Sequence, residues 1–173
     1  TNDRTVIGNA LPKWYGGITN TFNYKGIDLS FMLQFNYGND IYNATRLYAT
    51  QTNTQRRNQL AEVADRWSPT NASNKVPSYN GYVVNDVYSR FVEDGSFLRL
   101  KNVTLGYTLP HKWTRKFLVS KLRVYATGQN LFCLNNYSGY DPEVSTASKS
   151  PMTPGLDWGA YPKSKVFTFG VDI

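Results

Sequence analysis

Residues 27–37, IDLSFMLQFNY, keep a period of two along their whole length. Ile27, Leu29, Phe31, Leu33, Phe35 and Tyr37 fall on one parity; Asp28, Ser30, Gln34 and Asn36 fall on the other. Successive side chains of a strand point to opposite faces, so the stretch reads as a β-strand with one apolar and one polar face. Its length is the constraint. Eleven residues at about 3.4 Å each reach roughly 37 Å, whereas strands of soluble sheets typically run about 5–6 residues. Tilted by about 45°, such a strand covers about 26 Å of height, close to the roughly 25 Å apolar band of a transmembrane barrel. A soluble antiparallel sandwich with a solvated outer face fits the same alternation.

Four further segments alternate. In GITNTFNYK, Ile18, Phe22 and Tyr24 share a parity that Asn20 interrupts. KLRVYATGQNLF sets Leu122, Val124, Ala126 and Gly128 against Lys121, Arg123, Thr127 and Gln129. KVFTFGVDI sets Phe167, Phe169, Val171 and Ile173 against Thr168, Gly170 and Asp172. GSFLRLKNVTLGYTLP alternates but slips once: Leu98 and Leu100 are even, Val103, Leu105, Tyr107 and Leu109 odd. The expected strands are therefore about 17–25, 27–37, 96–109, 120–132 and 163–173. The slip near Lys101-Asn102 predicts a β-bulge, or a switch where the strand passes from loop-covered protein into the apolar band. If lipid covers the apolar face, Leu98 and Leu100 lie near the outer rim, Val103 to Leu109 face acyl chains, and Pro110 ends the strand.

The connections alternate in length. The first is a tight turn at Lys25-Gly26 and the third, PHKWTRKFLVS, is moderate. The second, about 38–94, and the fourth, about 133–162, are far longer than the 12–15 residues or so above which loops in compact domains become uncommon and usually functional. Within the second, NQLAEVADRW (58–67) predicts a short helix. Short turns on one side and long loops on the other are the habit of outer-membrane barrels.

Composition narrows the function. Aromatics make up 15% of the chain and the net charge is +7. Both suit aromatic girdles at a membrane, sugar platforms or nucleic-acid stacking, but the cations are scattered and no nucleic-acid motif occurs, so nucleic acid is not an expected partner. A single cysteine, Cys133, forbids an internal disulfide. Cys133 and the one histidine, His111, are the only material for a thiol–imidazole pair. No metal-ligand spacing, phosphate-binding loop or nucleophile motif is present, and enzymatic activity is not expected. No run of 18 apolar residues could form a transmembrane helix, but a barrel strand needs only about 9–11 residues. Five strands cannot close a transmembrane barrel, whose single-chain bacterial forms have even numbers from eight upward. Open edges in lipid would leave backbone groups unpaired at several kcal/mol each.

At the last strands the residues carry a resemblance. GSFLRLKNVTLGYTLP, LRVYATGQNLFCLNNYSGYDPEV and PGLDWGAYPKSKVFTFGVDI closely resemble the C-terminal end of SusC/RagA-type TonB-dependent outer-membrane transporters. IGNALPKWYGGITNTFNYKGIDLSFMLQFNYGNDIYN and RWSPTNASNKVPSY resemble the same family in the same order. The resemblance implies an all-β fold: the last five antiparallel strands of a 22-stranded transmembrane barrel, completed by strands outside this chain. It implies a plug and the remaining barrel as neighbours, a SusD-like surface lipoprotein as partner, and energy from TonB. It further implies glycans or oligopeptides as cargo, and outer-membrane lipid and lipopolysaccharide around the wall. The family's plug and TonB-contacting segment have no counterpart here, and its terminal aromatic lies a few residues beyond Ile173. In this topology loops 38–94 and 133–162 are extracellular, and the Lys112, Arg115 and Lys116 cluster is a periplasmic turn. The competing reading is a soluble carbohydrate-binding β-domain.

Candidate residues follow. Asp141 and Glu143 in NYSGYDPEVS, with Asp157, offer carboxylates to a structural Ca²⁺. They serve equally as loop braces, with Pro142 fixing a turn and Asp141 capping it. No other cofactor is expected. Tyr140, Trp158 and Tyr161 are candidates for stacking on substrate, against a plain packing role. Arg99, Lys101 and Arg123 have lumen-facing parity, since a charge facing lipid at mid-bilayer costs about 2–4 kcal/mol.

Overall fold

The computed structural model describes residues 4–51, 58–79, 86–144 and 154–173. The parts of the two long loops at 52–57, 80–85 and 145–153 lie outside the described residues. The strands are β1 (Trp14–Tyr24), β2 (Ile27–Tyr37), β3 (Asp40–Asn43), β4 (Val92–Asp94), β5 (Phe97–Thr108), β6 (Arg123–Asn135), β7 (Leu156–Asp157) and β8 (Val166–Asp172). Two short α-helices are α1 (Ala44–Thr50) and α2 (His111–Thr114). The chain divides into two compact units. The first is made of residues 1–11, 39–95 and 137–161; the second of residues 12–38, 96–136 and 162–173. In chain order the first unit is therefore built from the segment before β1 and from the two long connections between strands of the second.

The second unit is one antiparallel sheet in the order β1-β2-β5-β6-β8. The strand spans differ from expectation mainly at four ends, one of them the start of β6, at Arg123 and not 120. β1 starts three residues early, at Trp14; β6 runs on to Asn135; β8 begins at Val166. The β1–β2 turn is the two-residue kind. Lys25 and Gly26 both take positive φ, 47° and 88°, the sign at both central residues that a type I′ hairpin turn needs and that glycine adopts without strain.

The registers assign every side chain to a face. Leu33 pairs with Leu100 and Phe35 with Leu98, while Phe31 pairs with Val103, Leu29 with Leu105 and Ile27 with Tyr107. The two parities of β5 thus lie on one face. The register shifts at Lys101, which has no counterpart on β2, so the slip is a β-bulge and not a change of face. β6 departs further. Gln129 pairs with Asn102 but Phe132 pairs with Leu100, so Asn130 and Leu131 both stand in the gap beside Lys101. Asn130 takes φ 52° and its side-chain amide donates to the Ser164 carbonyl at 3.1 Å. Two inserted residues restore the parity, and Val124, Ala126, Gly128, Phe132 and Leu134 all remain on the face of Leu105. Leu131 folds over Gly128, its Cδ atoms within about 3 Å of where a Cβ would stand there.

One face of the sheet is therefore apolar across all five strands, with Asn20 its one polar side chain, and Phe22 and Phe31 stack across the gap at 6.1 Å. Trp14 opposite Tyr37 marks one end, and Tyr24 with Tyr107 the other. The opposite face carries Thr19, Thr21, Asn23, Asp28, Ser30, Gln34, Thr104, Thr127 and Gln129. The apolar face is not packed on protein: Phe169 is 80% and Leu105 54% exposed. Among the described residues the only buried apolar side chain of this unit is Phe97.

The first unit has what the sheet lacks. Ile41, Ala44, Leu47, Val63, Val76 and Phe91 are buried in it. β3 pairs antiparallel with β4 and parallel with β7. Asn43 caps α1, its Oδ1 accepting the Arg46 N–H at 2.8 Å. Leu47 packs on Phe91, and Tyr42 and Tyr88 close around the pair. The helix expected over 58–67 is only a 3-10 turn, Ala61–Asp65. Its apolar residues are too few for a buried stripe, and Val63 alone is buried there. No helix among the described residues is long and apolar enough to cross a membrane, which says nothing of a β-barrel.

Candidate functional site

The first unit holds a cleft of about 540 Å³ whose wall is mostly apolar surface with several polar side chains set in it. Its lining includes Thr45, Arg46, Glu62, Ser138, Tyr140 and Asp157. Two insertions that are distant in sequence build it. Arg46, in the first turn of α1, grips Glu62 with two parallel bonds, Nε–Oε1 at 2.9 Å and Nη2–Oε2 at 2.8 Å. Its remaining arm reaches Glu93 at 3.2 Å. Glu93 accepts from the hydroxyl and the backbone N–H of Ser138 at 2.8 and 2.9 Å, and from Asn43 at 3.2 Å. The 38–95 and 137–161 segments are thus joined through one carboxylate. Arg46 holds the Glu62 carboxyl below the usual glutamate range, and the two carboxylates push the guanidinium up. Paired bidentate contacts of this kind fix geometry as well as charge.

Asp157, on β7, is the second brace. It is buried, takes the Tyr137 hydroxyl at 2.5 Å, and accepts from Thr45 at 3.4 Å and the Ala160 N–H at 3.2 Å. Burial, and then that bond to Asp157, push the Tyr137 phenol well above its ordinary range. Asp141 is buried and accepts the Glu143 N–H at 2.9 Å. This is an Asx turn around Pro142, which satisfies a backbone donor locally. No group of three or more His, Cys, Asp or Glu among the described residues is placed to hold a metal ion.

The candidate aromatics separate. Tyr140 lines the larger cleft and is 80% exposed. Trp158 lines a neighbouring pocket of about 210 Å³ with Tyr48, and the two rings meet tilted at 5.8 Å. Thr45 and Ala49, one helical turn apart on α1, border both cavities. Tyr161 is 90% exposed and lines neither. Aromatic planes, hydroxyls and balanced charge suit reversible binding of a polar solute. Arg46, Glu62 and Glu93 escape a reading of the sequence because no spacing relates positions 46, 62, 93 and 138 before the two insertions fold together.

The three basic candidates lie in the second unit. Arg99 is buried on the polar face, stacked 5.5 Å from the Phe97 ring centroid. Lys101 is the bulge residue itself, and its Nζ reaches the Gln34 side chain of the polar face at 2.8 Å. Arg123 bridges three strands. It grips Asp28 of β2 at 2.9 and 2.6 Å and Asp172 of β8 at 2.8 Å, and lies over Tyr125. The bridge passes over Gly106 of β5, where a Cβ would stand 2.5 Å from the Asp28 oxygens and 2.7 Å from Arg123 Nε. Glycine is needed there for close approach. Cys133 lies near the end of β6 remote from α2, which begins at His111, so the two form no catalytic pair.

No family model matches the chain. It is 35% identical over its whole length to TonB-dependent receptor P3 of Formosa agariphila, of which it spans 17%. It is 30% identical over 91% of its length to TonB-dependent receptor SusC of Bacteroides thetaiotaomicron, of which it spans 14%. Among solved structures it superposes on the RagAB peptide transporter with a TM-score of 0.81 and 25% identity, over 96% of this chain and 18% of that one. These relatives bear the names of receptors and transporters, not of enzymes.

Proposed function

We propose that this chain, a segment of a SusC/RagA-like TonB-dependent receptor, forms one arc of the barrel wall of an outer-membrane importer. The observation that carries the proposal is the apolar face. It continues through five strands and two bulges, is capped at each end by Trp or Tyr, and is backed by a polar face. Lipid outside and a wet lumen inside is the arrangement that accounts for both faces. The arc is the C-terminal five of 22 strands, and the first unit is its extracellular module. Arg99, Lys101 and Arg123 line the lumen. Tyr140 and Trp158 sit where glycan or oligopeptide cargo is first met, beneath a SusD-like lipoprotein, and TonB supplies the energy through the receptor's plug.

The test uses the full receptor in a Gram-negative host. Phe31→Asp should abolish recovery of a heat-modifiable barrel from the outer membrane, and Ser30→Asp, one residue away, should leave it intact. Equal behaviour of the two, or recovery of the receptor from detergent-free buffer as a monodisperse soluble protein, would instead favour the soluble carbohydrate-binding domain. Tyr140→Ala and Trp158→Ala should then reduce uptake of labelled oligopeptide or oligosaccharide without reducing the amount of barrel.

A further inference from the structure

The connection between β5 and β6, residues 109–122, contains Lys112, Arg115, Lys116 and Lys121 beside His111, and no carboxylate. Lys121 acts electrostatically on Asp28. Lys112, Arg115 and Lys116 make none of the ion pairs found among the described residues and are exposed. Two large apolar side chains stand among them in the open: Trp113 is 60% exposed and Leu118 97%. Leu118 sits at φ 57° after the helical turns, a left-handed conformation that costs an L-residue energy. A solvated turn has no use for a strained leucine directed into water. The connection leaves the sheet at Thr108 and Arg123, one residue beyond the Tyr107–Val124 pair that ends the apolar face on these strands. Cations, an indole and an aliphatic side chain at the margin of a lipid-facing surface are the components of an interfacial anchor.

We infer that residues 111–118 bind anionic phospholipid headgroups of the periplasmic leaflet, with Lys112, Arg115 and Lys116 meeting phosphate and Trp113 and Leu118 entering the headgroup–acyl boundary. The occupant follows from charge complementarity and from continuity with the apolar face. The inference rests on the barrel-wall reading. Bacterial phospholipids supply phosphate and acyl chain together, and each Lys or Arg near an anionic surface adds a roughly equal increment of attraction.

The experiment compares the full receptor with its K112Q/R115Q/K116Q variant, both extracted in mild detergent. Native mass spectrometry counts retained phosphatidylglycerol, cardiolipin and phosphatidylethanolamine. The unmodified receptor should retain the anionic lipids preferentially. The variant should lose that preference by about tenfold or more, with its heat-modifiable barrel unchanged. K112R/K116R should keep the preference, and Trp113→Ala with Leu118→Ser should weaken retention of every lipid class. Equal anionic-lipid retention by receptor and triple variant would overturn the inference alone, as would a variant that loses lipopolysaccharide in place of phospholipid. Absence of a membrane barrel in the unmodified receptor would overturn the wall reading and the inference with it.

Discussion

The two units are made from the same chain by opposite rules. The first has a small core: Phe91 is fully buried, Ile41 and Val76 nearly so, and Arg46 is paired with Glu62 and Glu93. The second shows its apolar residues and gathers its polar ones on the other face. A difference in composition does not explain this, since both units contain aromatics and charges. On the barrel-wall proposal, the difference is in the solvent each surface meets. A unit that folds against water needs a core. A wall that folds between lipid and a wet lumen needs two faces and complete backbone pairing.

That contrast can be broken in several places, the largest effect first. Phe91→Ala removes the centre of the small core and should cost about 3–5 kcal/mol. The loss should be read as faster hydrogen exchange in residues 39–51 and 86–95 of the full receptor, with exchange in the β-sheet unaffected. Val103→Arg, opposite Phe31 at the middle of the apolar face, should destabilise the barrel by about 2–4 kcal/mol in lipid vesicles, measured by urea unfolding. Thr104→Arg, its neighbour on the polar face, should stay within about 1 kcal/mol, the usual scale of an uncomplicated surface change. Similar costs for the two would dissolve the distinction between the faces. Tyr137→Phe leaves buried Asp157 short of a donor and should cost about 1–3 kcal/mol, read as proteolytic sensitivity of the 137–161 segment.

The smallest effect is acid. The Glu62 carboxyl titrates lower in the folded unit than in the unfolded chain, because Arg46 donates to it. Its contribution is therefore complete above the ordinary glutamate range and disappears as pH falls through the depressed value. Exchange protection around α1 should fall on acidification below about pH 4, and Glu62→Gln should flatten that dependence at the expense of stability at neutral pH. A pH-independent wild type would mean that the Arg46–Glu62 grip contributes nothing to the unit.

What the sequence disclosed follows the same division. The sheet was legible because an apolar face backed by a polar one imposes a strict period of two, and the irregularity at Lys101 was visible because a single extra residue reverses parity. The companion irregularity at Asn130 and Leu131 was silent because two extra residues restore it; Gly128 beside Leu131, filling each other's space, was the only local trace. The small unit was mostly illegible. Its strands are two to four residues long, too short for any period, and its helix starts from an ordinary-looking Asn43. Its pairing of 46 with 62 and 93 exists only in three dimensions. The Asx turn at Asp141 was readable, being local to three residues.

The stacked bulges make the wall a matter of counting as much as of chemistry. Across β2, β5 and β6 the same level of the sheet is crossed with no, one and two additional residues. Most substitutions there alter one side chain. Deleting Lys101 would let β5 alternate without a break against β2, keeping Arg99 on the polar face and Leu98 and Leu100 on the apolar one, and would leave Asn130 and Leu131 of β6 with no residue beside them. A stretch in which many letters can be exchanged but only one removed behaves like a reading frame written in side chains, with Lys101 as its spare letter.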